Sequence, residues 1–170
     1  MTHVTAPVPR EAEERPVRLD HGQFSLTGNP SLEADYMALL ERAIAGSGIA
    51  GDDHGLIIIS PHQNNFEMPF LLEQWDDRPP DDAAEWEEVF EGSLLVVDGV
   101  LHYFSPTDAS ATFRVPSDRY AVRISGRGFV NRGWPGSTTP GDRWRVQLWP
   151  CPDDMSERRV KRWDPPDIVA

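Results

Sequence analysis

The 170-residue sequence predicts a mainly β protein: a single antiparallel β-sandwich domain of about seven or eight short strands, with one α-helix inserted after the first strand. Three observations carry this prediction. Short apolar runs recur between clusters of Gly, Pro, Asp and Ser at intervals of about 6–12 residues. Most of these runs alternate apolar and polar residues, the period of a strand, whereas the segment after the first strand is a clear amphipathic helix. Strands and helices never alternate in the order a doubly wound parallel sheet requires. There is no internal repeat and no boundary within residues 17–150.

Residues 1–16 hold three prolines and a charged cluster from Arg10 to Arg15, with little to bury, which predicts a mobile arm. Val17, Leu19, Phe24 and Leu26 then mark a first strand, broken or bulged at Gly22. Asn29 suits an N-cap with Pro30 at the first helical position. Leu32, Tyr36, Leu39, Leu40, Ala43 and Ile44 recur at spacings of three and four until Gly46 and Gly48 stop the helix. A glycine-flanked loop from Ile49 to Asp53 leads into Leu56–Ile59, an apolar run that reads as a strand buried on both faces. After a polar turn around His62, Phe66, Met68, Phe70 and Leu72 alternate, with Pro69 near the strand start or on an edge.

Glu73 to Glu91 carries nine acids and one Arg, a net charge of −8. Pro79-Pro80 forbids a continuous helix, but Asp82 can cap a short one over Ala83–Phe90 that ends at Gly92. Asp98-Gly99, between Ser93–Asp98 and Val100–Phe104, is the strongest hairpin signal in the chain. Strands over Ala111–Val115 and Tyr120–Ser125 follow, the second with Tyr120, Val122 and Ile124 inward. Gly126 to Gly141 holds five glycines and two prolines and reads as a long loop. In Asp142–Trp149, Trp144, Val146 and Leu148 point one way and Arg143, Arg145 and Gln147 the other. Residues 151–170 are polar and read as a C-terminal tail.

The net charge of −12 disfavours nucleic acid as the main partner, since phosphate binding needs clustered positive charge. The longest aliphatic run, Leu56–Ile59, is far short of a membrane span, and residues 1–16 lack the apolar core of a signal peptide. Cys151 is the single cysteine, so no intrachain disulfide can form. These features place the protein in the cytoplasm and leave its oligomeric state open. They imply no cofactor.

Candidate chemistry is sparse. His54, His62 and His102 with Asp52 or Asp53 have ligand types suited to zinc, but not at a spacing that places two on one face. Ser60, His62 and Asp52 or Asp53 are near in sequence, without the G-x-S-x-G elbow of a hydrolase. His102, Tyr103 and the tryptophans offer a second route, a β-sandwich that stacks a small molecule or sugar. The charge pattern is more informative. A later stretch, Arg114 to Arg145, has the opposite balance, with seven Arg and a net charge of +5. Either the two neutralise each other across the fold, or the acids present Trp75, Asp76, Asp77, Asp81, Asp82, Glu85 and Trp86 to a basic partner.

The order of short motifs is similar to that of the competence protein J family. The similarity lies in His21-Gly22-Gln23-Phe24, Met68-Pro69-Phe70, Val97-Asp98-Gly99-Val100, and Phe113-Arg114-Val115-Pro116 with Tyr120. It spans about Val17 to Ser125. The chain departs from the family in its acidic Pro-rich segment, its glycine-rich loop and its C-terminal stretch. The resemblance implies a compact β-sandwich that acts as an inhibitor or immunity-type protein against a nuclease or toxin. It assigns no binding residue.

Overall fold

A computed structural model describes residues 4–31, 33–62, 67–107, 109–130 and 141–165. Leu32, Phe66, Trp134 and most of the glycine-rich loop, all singled out above, lie outside the described residues. Two sheets face each other around one core. The larger is formed by β1 (Glu11–Arg18), β5 (Glu67–Gln74), β10 (Arg143–Pro150), β9 (Asp118–Arg127), β6 (Glu88–Val96) and β11 (Arg158–Lys161), in that spatial order. The smaller runs β3 (Ile49–Gly51), β4 (Gly55–Ile59), β2 (Gln23–Thr27), β7 (Val100–Ser105) and β8 (Ala109–Arg114). This is the predicted β-sandwich. One pair departs from the antiparallel expectation, since β5 and β10 run parallel.

The core is the product of alternation. Phe70 and Leu72 on β5, Trp144 and Val146 on β10, Val122 and Ile124 on β9, and Phe90 and Leu94 on β6 point inward, each on the same face as its cross-strand partner. They meet Phe24, Leu26, Leu56, Ile58, Leu101, Tyr103 and Phe113 from the smaller sheet. Phe24 packs edge-on against Trp144, with ring centroids 5.1 Å apart, and stacks on Tyr103 at 5.4 Å.

Both outer faces are also covered. The helix α1 (Tyr36–Ala45) lies on the smaller sheet, burying Leu39 and Ala43 against Ala50 and Ile57. On the larger sheet the acidic segment after β5 crosses the face as a strap.

Several expectations are corrected. The predicted arm is a strand from Glu11 onward, paired with β5 over its full length. Glu11 to Glu14 are exposed on this edge strand, whereas Val17 near its end is buried in the core. The break at Gly22 is a passage between sheets: His21 and Gly22 both adopt positive φ, 52° and 64°, and turn the chain from β1 in one sheet to β2 in the other. The helix starts six residues later than Asn29 predicts. Asp35 caps it by accepting from the Ala38 amide at 3.0 Å, while the Asn29 side chain donates to Asp53 O at 3.1 Å. The glycine-flanked loop contains β3, paired with β4.

The short helix after Asp82 is a single 3-10 turn, Ala83–Glu85, and residues 88–90 already belong to β6. Asp98-Gly99 makes a turn, with Gly99 at φ 76°, but not a hairpin. β6 pairs with β9 and β11, whereas β7 pairs with β2 and β8. The turn again carries the chain from one sheet to the other. Finally, the predicted tail adds β11 to the edge of β6 and buries Trp163, whose ring centroid lies 5.5 Å from that of Phe129.

Candidate functional site: the acidic strap and the cleft beside it

The outer face of the larger sheet is polar and largely covered. Successive cross-strand partners Glu91, Arg123, Gln147 and Glu73 form a row across β6, β9, β10 and β5. Arg123 Nε lies 3.5 Å from Glu91 Oε1, and Arg123 donates to Gln147 Oε1 at 3.4 Å. Gln147 Nε2 and Trp75 Nε1 both donate to Glu73 Oε2, each at 2.8 Å. Arg78 and Arg158 complete the row at Glu91, each at 2.9 Å. Burial opposes ionisation of Glu91, yet the Arg158 hydrogen bond with the charges of Arg78 and Arg123 holds its pKa below the usual glutamate value. A buried polar row of this kind is tolerable because its members are mutually satisfied.

The strap is fastened over this row. Asp82 accepts from Arg145 at two points, 2.6 and 2.8 Å, and that hydrogen-bonded charge pair lowers the Asp82 pKa against the effect of burial. Arg123 donates to Pro80 O at 2.9 Å and Lys161 to Ala83 O at 3.1 Å. The Trp86 ring is covered by two guanidiniums, Arg127 at 4.6 Å and Arg145 at 4.5 Å from its centroid.

The seven residues singled out from the sequence therefore divide. Trp75 and Trp86 are buried, 8% and 6% exposed, so they support the strap from beneath rather than present an indole to solvent. Asp82 is consumed by Arg145. Asp76, Asp77, Asp81 and Glu85 are exposed. Asp76 meets Arg10 at 3.4 Å with 74% of its side chain exposed, and Asp81 also accepts from the Ala83 amide at 3.1 Å. Neutralisation across the fold and an outward acidic surface thus coexist in one segment.

The other candidates resolve differently. Asp52 accepts from the His54 and Gly55 amides, which closes the turn before β4, and the Ser60 hydroxyl is engaged with the His62 backbone at both its N–H and its carbonyl. The structure does not assemble Ser60, His62 and Asp52 into a catalytic set. His62 instead meets Asp142, 80 residues away, and both side chains are fully buried. Burial pushes the Asp142 pKa up to about 6, with the His62 hydrogen bond opposing and Glu87 reinforcing the rise. That pair was not visible in the sequence. Among the described residues, no group of three or more His, Cys, Asp and Glu is placed to hold a metal ion. The tryptophans expected to stack on a ligand are interior: Trp144, Trp149 and Trp163 are buried, and Tyr103 donates to Arg18 O at 2.7 Å from within the core.

Beside the strap is a cleft of about 570 Å³, bounded by the start of β5, the 3-10 turn, the end of β9 and the start of β10. Glu67, Glu85, Glu87 and Asp142 line it, with Arg127 and Arg143.

No protein-family model matches the chain, and no curated protein matches it by sequence. Two solved structures are similar to the chain. One is ComJ from Bacillus subtilis, an inhibitor of the DNA-degrading activity of NucA: TM-score 0.55, 13% identity, covering 86% of this chain and 100% of that one. A second is the crocagin biosynthetic gene J product, with TM-score 0.49, 14% identity, and coverage of 82% and 97%. At these identities the likeness to ComJ is one of fold.

Proposed function

We propose that the protein is a non-enzymatic binding module of inhibitor or immunity type, which neutralises a basic protein partner such as a nuclease through the acidic strap. The observation that carries this reading is the division of the strap. Asp82, Trp86 and the Pro80 carbonyl hold it to the sheet, and Asp76, Asp77, Asp81 and Glu85 face solvent on that held backbone. A surface ordered before encounter loses less conformational entropy on binding. Concentrated negative charge attracts a cationic partner and speeds association. ComJ, which shares the fold over its whole length, is itself an inhibitor of a nuclease activity.

The test is surface plasmon resonance against a basic nuclease of the kind ComJ inhibits. Replacing Asp76, Asp77 and Asp81 together by Lys is expected to slow association by about tenfold or more and to flatten its dependence on salt. Association that ignores both salt and the triple substitution would overturn the reading.

A further inference from the structure

We propose that the free edge of the smaller sheet, strand β8, pairs with β8 of a second copy of this chain, antiparallel about a two-fold axis at Ala111. The seam uses no residue of the acidic strap, so it stands apart from the partner reading above.

The two sheets end in four edge strands, β1 and β11 in the larger and β3 and β8 in the smaller. An edge offers unpaired N–H and C=O groups to another chain unless charge, proline, brevity or a covering side chain protects it. Three of the four are protected. β1 carries Glu13, Glu14, Arg15 and Pro16. β11 has four residues, most of them basic, with an irregular register between Arg159 and Lys161. β3 has three residues, and Arg42 of α1 reaches across to donate to Gly51 O at 3.3 Å. β8 is different: it runs for six residues without proline, and its only charge is Arg114 at the end.

The hydrogen bonds fix which groups of β8 point outward. Val115 N donates to Gly99 O at 3.1 Å, so by alternation Phe113 and Ala111 bond towards β7, and Arg114, Thr112 and Ser110 turn their backbone groups away from it. The outward carbonyl of Arg114 is closed, because it accepts from Gln74 Nε2 at 3.0 Å. The edge left open is Ser110 to Thr112. An antiparallel partner must set outward residues against outward residues. In a symmetric pair, Ser110 of one copy therefore stands opposite Thr112 of the other, and Ala111 stands opposite itself.

The side chains suit this register. Ser110 and Thr112 are exposed and uncharged, and hydroxyl pairs of this kind stabilise neighbouring strands. Ala111 packs on the main core yet is only partly buried, because the core ends at this edge. A second Ala111 would cover it, and a methyl group is small enough for the close approach of a pair without mutual hydrogen bonds. No like charges meet within these three positions. The net charge of −12 on each chain opposes association at long range, so added salt should strengthen the pair.

The experiment is sedimentation equilibrium of the full chain at low and high salt. A reversible dimer is expected with Kd of about 0.1–1 mM, tighter at high salt. Thr112→Lys puts a charge on the seam and is expected to weaken it about tenfold or more. Thr112→Pro deletes an outward N–H, leaves the ladder to β7 intact, and should do the same. Ala111→Cys in a Cys151→Ser chain should oxidise to a covalent dimer, whereas Ser110→Cys, which does not face itself, should stay largely monomeric. A chain that is monomeric to about 1 mM at both salts, or a dimer indifferent to both Thr112 substitutions, would overturn the proposal. Equal cross-linking at positions 110 and 111 would overturn the register. A monomer whose binding to a nuclease is lost on Thr112→Lys would give the edge to a strand of that partner and remove it from the second copy.

Discussion

Asp82 and Arg145 form a two-point ion pair that joins the acidic strap to the middle of the larger sheet, with Arg145 also stacked on Trp86. The Arg145 side chain is 8% exposed and that of Asp82 25%, so solvent screens the pair only in part. Removing Asp82 leaves a largely buried guanidinium with fewer acceptors. Asp82→Asn is expected to lower unfolding stability by about 2 kcal/mol. A double-mutant cycle of Asp82→Ala with Arg145→Ala, followed by urea denaturation, should give a coupling above about 1 kcal/mol.

The buried Asp142 predicts a dependence of stability on pH with a definite sign. Its pKa is raised from 3.8 to about 6 in the folded state, so between those values the folded chain holds more proton than the unfolded one. Its contribution is therefore greatest below the unfolded pKa and is lost as pH rises through about 6. Asp142→Asn should remove this component. Subtracting the variant's unfolding free energy from that of the natural chain across this window should leave a difference that falls with rising pH. A difference that rises would contradict the assignment.

The last described residues are structural. β11 extends the sheet beyond β6, Arg159 lies 3.3 Å from the buried Glu88, and Trp163 packs on Phe129. Deleting residues from Glu157 onward removes donors from Glu88 and Glu91 together with a buried indole. The expected loss is about 3–5 kcal/mol, the scale of deleting one buried Trp side chain, measured by chemical denaturation. An unchanged denaturation midpoint would show that β11 adds nothing to the sandwich.

Gly55 opens β4 directly opposite Thr27. A Cβ at this position would collide with the carbonyl oxygen of Leu26 and come within 3.0 Å of Thr27 Cα, and both are backbone atoms that cannot turn aside. Gly55→Ala is expected to cost about 1–3 kcal/mol by overpacking, read as a lowered Tm.

The parts of this fold legible in the sequence are those where one physical constraint dominates. On β10, Trp144, Val146 and Leu148 face a dry core, and alternation alone assigns their face. Leu39 and Ala43 show the same for the helix. Where two constraints compete, the local signal misleads. Asp98-Gly99 has the backbone chemistry of a hairpin and does turn the chain. Residues on both sides of the turn are buried by different sheets, and that burial overrides the local pairing. Edge strand β1 is hidden because most of its side chains, Glu11 to Glu14 among them, are exposed, and its pairing to β5 is a backbone property. At the candidate site, the attraction between the acidic and Arg-rich stretches was legible from charge. Which acids are consumed was not: Asp82 is used and Asp81 remains exposed because only one of them stands over Arg145. The meeting of His62 and Asp142 left no periodicity or spacing to read.

The passages between sheets also bear on how the chain assembles. Several contacts of the larger sheet join chain segments far apart: Gln74 meets Glu11 across 63 residues, Arg158 meets Glu91 across 67, and Gln147 meets Glu73 across 74. Each requires the closure of a long loop before any pairing rewards it. In the smaller sheet, β3–β4 and β7–β8 are sequence neighbours, and α1 docks beside the first of these pairs. The β2–β7 pair that joins these local units, Ser25 opposite Phe104, is itself long-range, so refolding is expected in the slow range of all-β proteins, about milliseconds to seconds. The strap needs Arg123 and Arg145 already in register, so it is expected to settle late. A chain caught before that step would carry its acids on a loose tether, without the held backbone that the ion pair of Asp82 and Arg145 supplies.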